Sequence, residues 1–152
     1  MRGMPPAAPT PALDDLLCFA VHSTGFAFNR VYRKPLAKLG LTYPQFLAMA
    51  ALWGEDAMTV GALGEKLSLD TSTLTPLLKR LEAMRLLSRR RSPEDERRVV
   101  VSLTPQGSAL RAEAGEVFAC IQAAADLSPA AFAKLTHDIQ ALRANLERAA
   151  EL

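Results

Sequence analysis

Four side chains in this sequence offer thiol and phenol chemistry: Cys18, Cys120, Tyr32 and Tyr43, the only cysteines and tyrosines among its 152 residues. A thiolate can attack a peroxide oxygen and become a sulfenic acid, which a second thiol can condense to a disulfide. A phenol O–H is a good donor to a thiolate. Each also has an ordinary reading. A lone cysteine in an apolar helix is most often an inert small hydrophobe, and tyrosines at helical spacing most often pack at an interface. Two cysteines 102 positions apart make neither a disulfide framework nor a CxxC motif. Two histidines, His22 and His137, give no ligand cluster, so neither metal nor cofactor is expected. Acidic and serine residues show no nucleophile elbow and no paired-carboxylate pattern, which argues against an enzyme.

The second chemical feature is a concentration of guanidinium groups. Lys79 to Arg98 holds eight basic and four acidic residues, a net of +4, while the whole chain carries +2. The remainder therefore sums to −2, and the positive charge is localised as phosphate binding requires. By charge alone, a solvated charged hairpin explains this run equally well.

The elements around that run decide between the two. Val60, Leu63 and Leu67 repeat at helical spacing behind Thr59, a capping residue. Asp70 offers a second N-cap, and Leu74, Leu77, Leu78, Leu81 and Met84 form the apolar stripe of a helix over Asp70–Met84. Ser72, Thr75, Pro76 and Lys79 fall on its other side with Arg80 on the flank, a small, hydroxyl-bearing, basic face suited to a major groove. Pro76 fits either a helix starting at Thr71 with a loosened first turn or one starting after Thr75; the first is favoured. Two strand-like runs, Leu86–Arg91 and Arg97–Leu103, flank the turn Ser92–Glu96. Helix, helix, arginine-bearing hairpin is the outline of a winged helix-turn-helix. Arg89, Arg90, Arg91 and Arg98 alternate along strands, so about half of them would touch phosphate, with Arg89 and Arg91 taken as the DNA-binding pair.

Outside this unit the pattern is helical. A helix runs from Leu13 to about Leu39 and is closed by Gly40, with Pro35 expected to end or kink it near Lys34. Thr42-Tyr43-Pro44 starts a second helix that runs to Gly54, and Glu55–Met58 reads as a connector. Thr104-Pro105 and Ser128-Pro129 each begin a further helix. The chain therefore divides into an N-terminal flexible arm (1–12), helical dimerisation segments (13–40 and 104–152) and a winged helix-turn-helix (41–103). The fold class is mainly α, in a homodimer. No apolar run is long enough to span a bilayer, so no membrane partner is expected and the cytoplasm is the default compartment.

With these residues in hand, the sequence resembles the MarR family, and within it the organic-hydroperoxide-sensing repressors of the OhrR type. The resemblance covers Leu13 to about Leu110. It is carried by Leu17-Cys18-Phe19-Ala20, Gly40-Leu-Thr-Tyr-Pro-Gln45, the Leu69–Glu82 stretch and Asp95-Glu-Arg-Arg-Val99. It implies a homodimer that binds double-stranded, pseudo-palindromic operator DNA and lets go when an organic hydroperoxide oxidises Cys18. It also implies that Arg97 enters the minor groove, oriented by Asp95, and that Tyr32 and Tyr43 support the thiol. Tyr32 is 14 residues beyond Cys18, nearly the same helix face but about 21 Å along the axis. A Tyr32–Cys18 contact therefore requires a second subunit with its first helix antiparallel. Cys120 is the implied resolving thiol; otherwise a small cellular thiol caps Cys18. His22, one turn after Cys18, is expected to line the pocket.

Other functions stay in view. A repressor of the same fold could be released by a small anionic or phenolic ligand without thiol chemistry. A thiol peroxidase would use Cys18 and Cys120 in turnover, but the sequence lacks a peroxiredoxin motif and any α/β pattern. A winged helix that binds no DNA is disfavoured by the concentrated charge.

Overall fold

The computed structural model describes residues 10–151. Most of the expected N-terminal arm lies outside the described residues. Helix α1 (Leu17–Leu39) is followed by α2 (Tyr43–Gly54), strand β1 (Met58–Thr59), α3 (Val60–Leu67) and α4 (Thr71–Ala83). Strands β2 (Leu87–Arg91) and β3 (Val99–Leu103) form a hairpin, and α5 (Pro105–Ala125) and α6 (Pro129–Ala150) complete the chain. The antiparallel sheet is ordered β1-β3-β2, with Arg89 opposite Val101 and Met58 opposite the other edge of Val101.

The helix starts follow local chemistry. Thr42 and Gln45 form a reciprocal capping box, so the buried Gln45 amide oxygen accepts from the Thr42 N–H at 2.9 Å. Thr59, Asp70, Thr104 and Ser128 each accept from a backbone N–H three residues on. The Ser72 hydroxyl and the Thr73 N–H both donate to Asp70, which holds its carboxyl below the usual range. Helix α4 accordingly begins at Thr71, with Pro76 inside it on the exposed side.

Three expectations about local structure change. Helix α1 runs to Leu39 and is closed by Gly40 as expected, so of the two effects expected of Pro35 the ending near Lys34 does not occur. Its last turn is held by Leu36, 2 % exposed in the core, and by the Leu41 N–H donating back to the Leu36 carbonyl across left-handed Gly40 (φ 68°). At its other end, α1 begins later than the periodicity suggests. Leu13–Asp15 is a separate 3-10 turn, and Leu16 is extended. Finally, Met58 is not connector but strand. Asp56 fixes the approach, its Oδ1 accepting from the N–H groups of Ala57 (2.7 Å) and Leu103 (2.8 Å).

The apolar stripes of α2, α3 and α4 meet the sheet in one core that includes Phe46, Met49, Leu63, Leu74, Leu78 and Val101. Helix α5 is fastened to it by a tight joint. The Trp53 indole N–H donates to the Gly107 carbonyl at 2.9 Å, and the Thr104 hydroxyl donates to the Arg85 carbonyl at 2.6 Å. A Cβ on Gly107 would lie 1.9 Å from the Leu86 carbonyl oxygen, which is backbone and cannot swing away. Gly107→Ala is therefore expected to destabilise the fold by about 3 kcal/mol or more, read as a lower urea midpoint. An unchanged midpoint would show that the joint is looser than the packing requires.

The terminal helices are different in kind. Helix α6 has no buried residue. Among the described residues, the strongly exposed large hydrophobics lie on Leu13–Val31 and Phe118–Leu146, with Leu17, Phe26, Leu135 and Leu146 at 61, 54, 49 and 61 % exposure. No helix is long and apolar enough to cross a membrane.

Candidate nucleic-acid interface and thiol site

Helix α4 turns Leu74, Leu77, Leu78 and Leu81 into the core, which leaves Ser72, Pro76, Lys79 and Arg80 exposed and Thr75 half-buried on the opposite side. Thr75 and Thr71 face a groove of about 640 Å³ whose far wall carries Arg97 and Arg98 from the hairpin and whose floor is the start of α3. Helix face, groove and basic wing thus form one continuous surface.

The hairpin arginines divide by partner. Arg89, which also lines that groove, is paired with α4, its Nε and Nη2 donating to Glu82 Oε2 at 3.1 and 2.8 Å and its main-chain N–H to Oε1 at 3.2 Å. Hydrogen bonds from that guanidinium hold the Glu82 carboxyl below the usual range. Arg98 Nε lies 3.6 Å from Asp95 Oδ2. Asp95 also accepts from the Arg97 main-chain N–H at 3.0 Å, so it fixes the backbone of Arg97 without pairing its guanidinium. Among the described residues Arg90, Arg91, Arg97, Lys79 and Arg80 make no ion pair, and all are exposed. Unpaired, exposed cations on one hairpin are suited to a polyanion.

The thiols sit elsewhere. Because α1 starts at Leu17, Cys18 is its second residue, closer to the helix start than the roughly five residues the periodicity suggests. Ala20 is the first residue to donate back, to Leu16, so the N–H groups ahead of it have no partner within the helix. That is the end of a helix that favours a negative charge. Cys18 is exposed, as is Cys120. His22 stacks edge-on against Phe26 at 4.7 Å between ring centroids and does not line the tyrosine cavity.

Tyr32 and Tyr43 are brought together, ring centroids 4.6 Å apart, with Phe46 5.7 Å from Tyr32. Burial pushes the Tyr32 hydroxyl up to about 12, with the neighbouring Tyr43 adding to the rise, and burial raises Tyr43 as well. Both phenols are therefore protonated donors at neutral pH. They open onto a cavity of about 340 Å³ shared with Phe28, Phe118, Gln122 and Phe132.

Cys120 lines a separate cavity of about 220 Å³ with Pro35, Lys38 and Glu116, at the C-terminal end of α1. Pro35 is 17 residues from Cys18, roughly 25 Å along the helix. A disulfide needs α-carbons within about 7 Å. Cys18 and Cys120 of one chain are thus kept apart, and only two copies could join them. Sequence reasoning missed Glu82, Asp56 and the α5 and α6 residues of the tyrosine cavity. Glu82 and Arg89 are seven positions apart across a left-handed turn at Arg85 (φ 60°), a spacing with no periodic signature.

Comparison with known proteins agrees with this geometry. The family model described as transcriptional regulator SarA/Rot matches residues 30–113. The organic hydroperoxide resistance transcriptional regulator of Bacillus subtilis is 44% identical over 105 residues, covering 69% of this chain and 71% of that one. The chain belongs to the MarR family of winged-helix transcriptional regulators. Among solved structures, this MarR-family chain is similar to AbfR of Staphylococcus epidermidis. Reduced AbfR bound to DNA is 31% identical with a TM-score of 0.75, covering 92% of this chain and 96% of that one. Disulfide-formed AbfR is 33% identical with a TM-score of 0.62, covering 86% and 91%. The Bacillus subtilis relative is a transcriptional regulator by name, and AbfR has been solved bound to DNA.

Proposed function

We propose that this MarR-family chain is a homodimeric, peroxide-responsive repressor. It holds pseudo-palindromic operator DNA with α4 and the wing, and releases it when an organic hydroperoxide oxidises Cys18. The observation that carries this reading is the placement of Cys18. It lies exposed in the first turn of α1, with two protonated phenols one helix length away beside an unpartnered apolar face. An antiparallel pair of α1 helices would cover that face and bring the partner subunit's Cys18 to Tyr32. The name of the Bacillus subtilis relative and the DNA-bound and disulfide-formed states of AbfR support the same reading.

The chemistry balances without a cofactor. The Cys18 thiolate attacks the terminal peroxide oxygen, the O–O bond breaks, and the alkoxide leaves with a proton as the alcohol. Sulfur is oxidised by two electrons to the sulfenic acid and the peroxide is reduced by the same two. The Cys120 thiol of the other subunit can then displace water to form a disulfide; a small cellular thiol would do the same chemistry. Tyr32 and Tyr43 steady the thiolate and donate toward the departing oxygen.

The test is to follow the mass of Cys18 and operator retention in one sample as cumene hydroperoxide is added. The two should change together, and Tyr32→Phe and Tyr43→Phe should each slow both by about tenfold, or about 1.4 kcal/mol, close to what one hydrogen bond to a charged group contributes. Wild-type rates in both variants would reduce the phenols to packing groups. A second reading rests on the aromatic cavity beside them. A phenolic or anionic ligand that fills it and releases DNA from fully reduced protein would replace thiol sensing.

A further inference from the structure

Helix α4 and the wing are joined by an ion pair between Glu82 and Arg89. Glu82 is the penultimate residue of α4, and Arg89 is the third residue of β2. One carboxylate oxygen takes both the Nε and Nη2 donors of Arg89, while the other takes the Arg89 main-chain N–H. Three donors on one carboxylate fix both its side chain and the strand it grips. The pair is partly shielded, at 24 and 38 % side-chain exposure for Arg89 and Glu82, whereas the other ion pairs among the described residues are more open.

The grip falls at a lever point. Arg89 pairs with Val101, and the hairpin continues through Arg91 opposite Val99 to the turn that carries Arg97, which lines the groove. Arg97 is four residues beyond Val101 on the same strand direction, so at about 3.4 Å per residue it lies roughly 13 Å from the clamp, and a tilt of about 10° there would move it about 2 Å. At the tip itself Asp95 holds the Arg97 main-chain N–H and lies beside the Arg98 guanidinium, both local to the turn. Beside the buried Leu87 and Val101, Glu82 is the side chain of α4 that hydrogen-bonds to the hairpin among the described residues.

We infer that Glu82 is a positioning residue for Arg97: it sets the distance between the major-groove face of α4 and the arginine at the wing tip. The inference rests on the DNA-binding reading above. It assigns Arg89 to the clamp and not to phosphate, and it makes a prediction opposite in sign to simple electrostatics. Glu82→Gln removes a negative charge from the DNA-facing unit, so by charge alone it should tighten binding and steepen the salt dependence. As a positioning residue, Glu82→Gln should weaken binding with the salt dependence unchanged.

The measurement is operator affinity of the full chain by fluorescence anisotropy, over a range of salt, for single and double variants. Glu82→Gln and Arg89→Gln should each lose about three- to tenfold, a typical coupling for a contact of this kind. The double variant should lose no more than either single. On an Arg97→Ala background the Glu82→Gln loss should vanish, while on a Lys79→Ala background it should persist in full. Arg89→Gln runs the same cycle from the other side of the pair, so a Glu82 variant that folds poorly does not stop the test. Equal or tighter binding by Glu82→Gln, or an equal loss on both backgrounds, overturns the inference while leaving the wing reading intact. An Arg97→Ala protein that binds like wild type removes both.

Discussion

Cys18→Ser is expected to bind operator DNA as tightly as wild type and to stay bound at organic hydroperoxide concentrations that empty the wild-type complex. The substitution is nearly isosteric, and Cys18 is exposed on the first turn of α1, away from the core. Nothing in α4 or the wing depends on it. A serine hydroxyl is not oxidised by a hydroperoxide under these conditions, so the first step of the chemistry is absent. The expected effect is total loss of the response and no loss of affinity. Release of Cys18→Ser by the same peroxide dose would remove this residue from the mechanism. The structure adds a reason to expect a durable response in the wild type. The two thiols of one chain are separated by the length of α1, so a Cys18–Cys120 disulfide must cross between subunits. Oxidised wild-type protein should then run as a covalent dimer on a non-reducing gel, and Cys120→Ser should not.

The second large effect is expected at the wing. Arg97→Ala should weaken operator binding while leaving the urea midpoint and the dimer unchanged. The guanidinium makes no ion pair among the described residues, and the side chain is exposed, so its removal costs the free protein little. A groove-inserted arginine typically contributes about 1–3 kcal/mol, and a dimer inserts two, so a loss of roughly 30-fold or more is expected. The loss should be greatest where the minor groove under the wing is narrow and A·T-rich, because such grooves concentrate negative potential. Arg89→Gln should lose less, because the Arg89 guanidinium is already bonded to Glu82. Equal affinity of Arg97→Ala and wild type at moderate salt would show that the wing lies off the DNA.

What the sequence disclosed and what it withheld separate along one physical line. Caps are local: a threonine, aspartate or serine bonds an N–H three residues on, so Thr42, Thr59, Asp70, Thr104 and Ser128 could each be read from neighbours alone. The apolar stripe of α4 was equally legible because burial of Leu74, Leu77, Leu78 and Leu81 follows helical spacing. Strand β1 was not, since two residues are too few to show a period and its place is set by Asp56 and the distant Leu103. Pro35 shows the reverse, since the helical period and Gly40 placed the end of α1 correctly at Leu39. Its local preference to end a helix is overridden by the burial of Leu36 and the closure at Gly40. Within the site, the basic wing and the outer face of α4 were visible as composition, but not the division of labour among arginines. That division depends on Glu82 and Asp95, whose partners are chosen by turn geometry. The tyrosines were visible as residue types, while their mutual contact and their cavity come from α2, α5 and α6 folding over α1.

The central claim is that one thiol controls DNA release. The most direct measurement is a gel shift of the full chain on the DNA upstream of its own coding sequence. Reduced protein is compared with protein treated with about one equivalent of cumene hydroperoxide per Cys18, then with thiol. The account predicts a retarded complex when reduced, free DNA after peroxide, and the complex restored by thiol. A retarded complex that persists after Cys18 is shown by mass to be oxidised would contradict it.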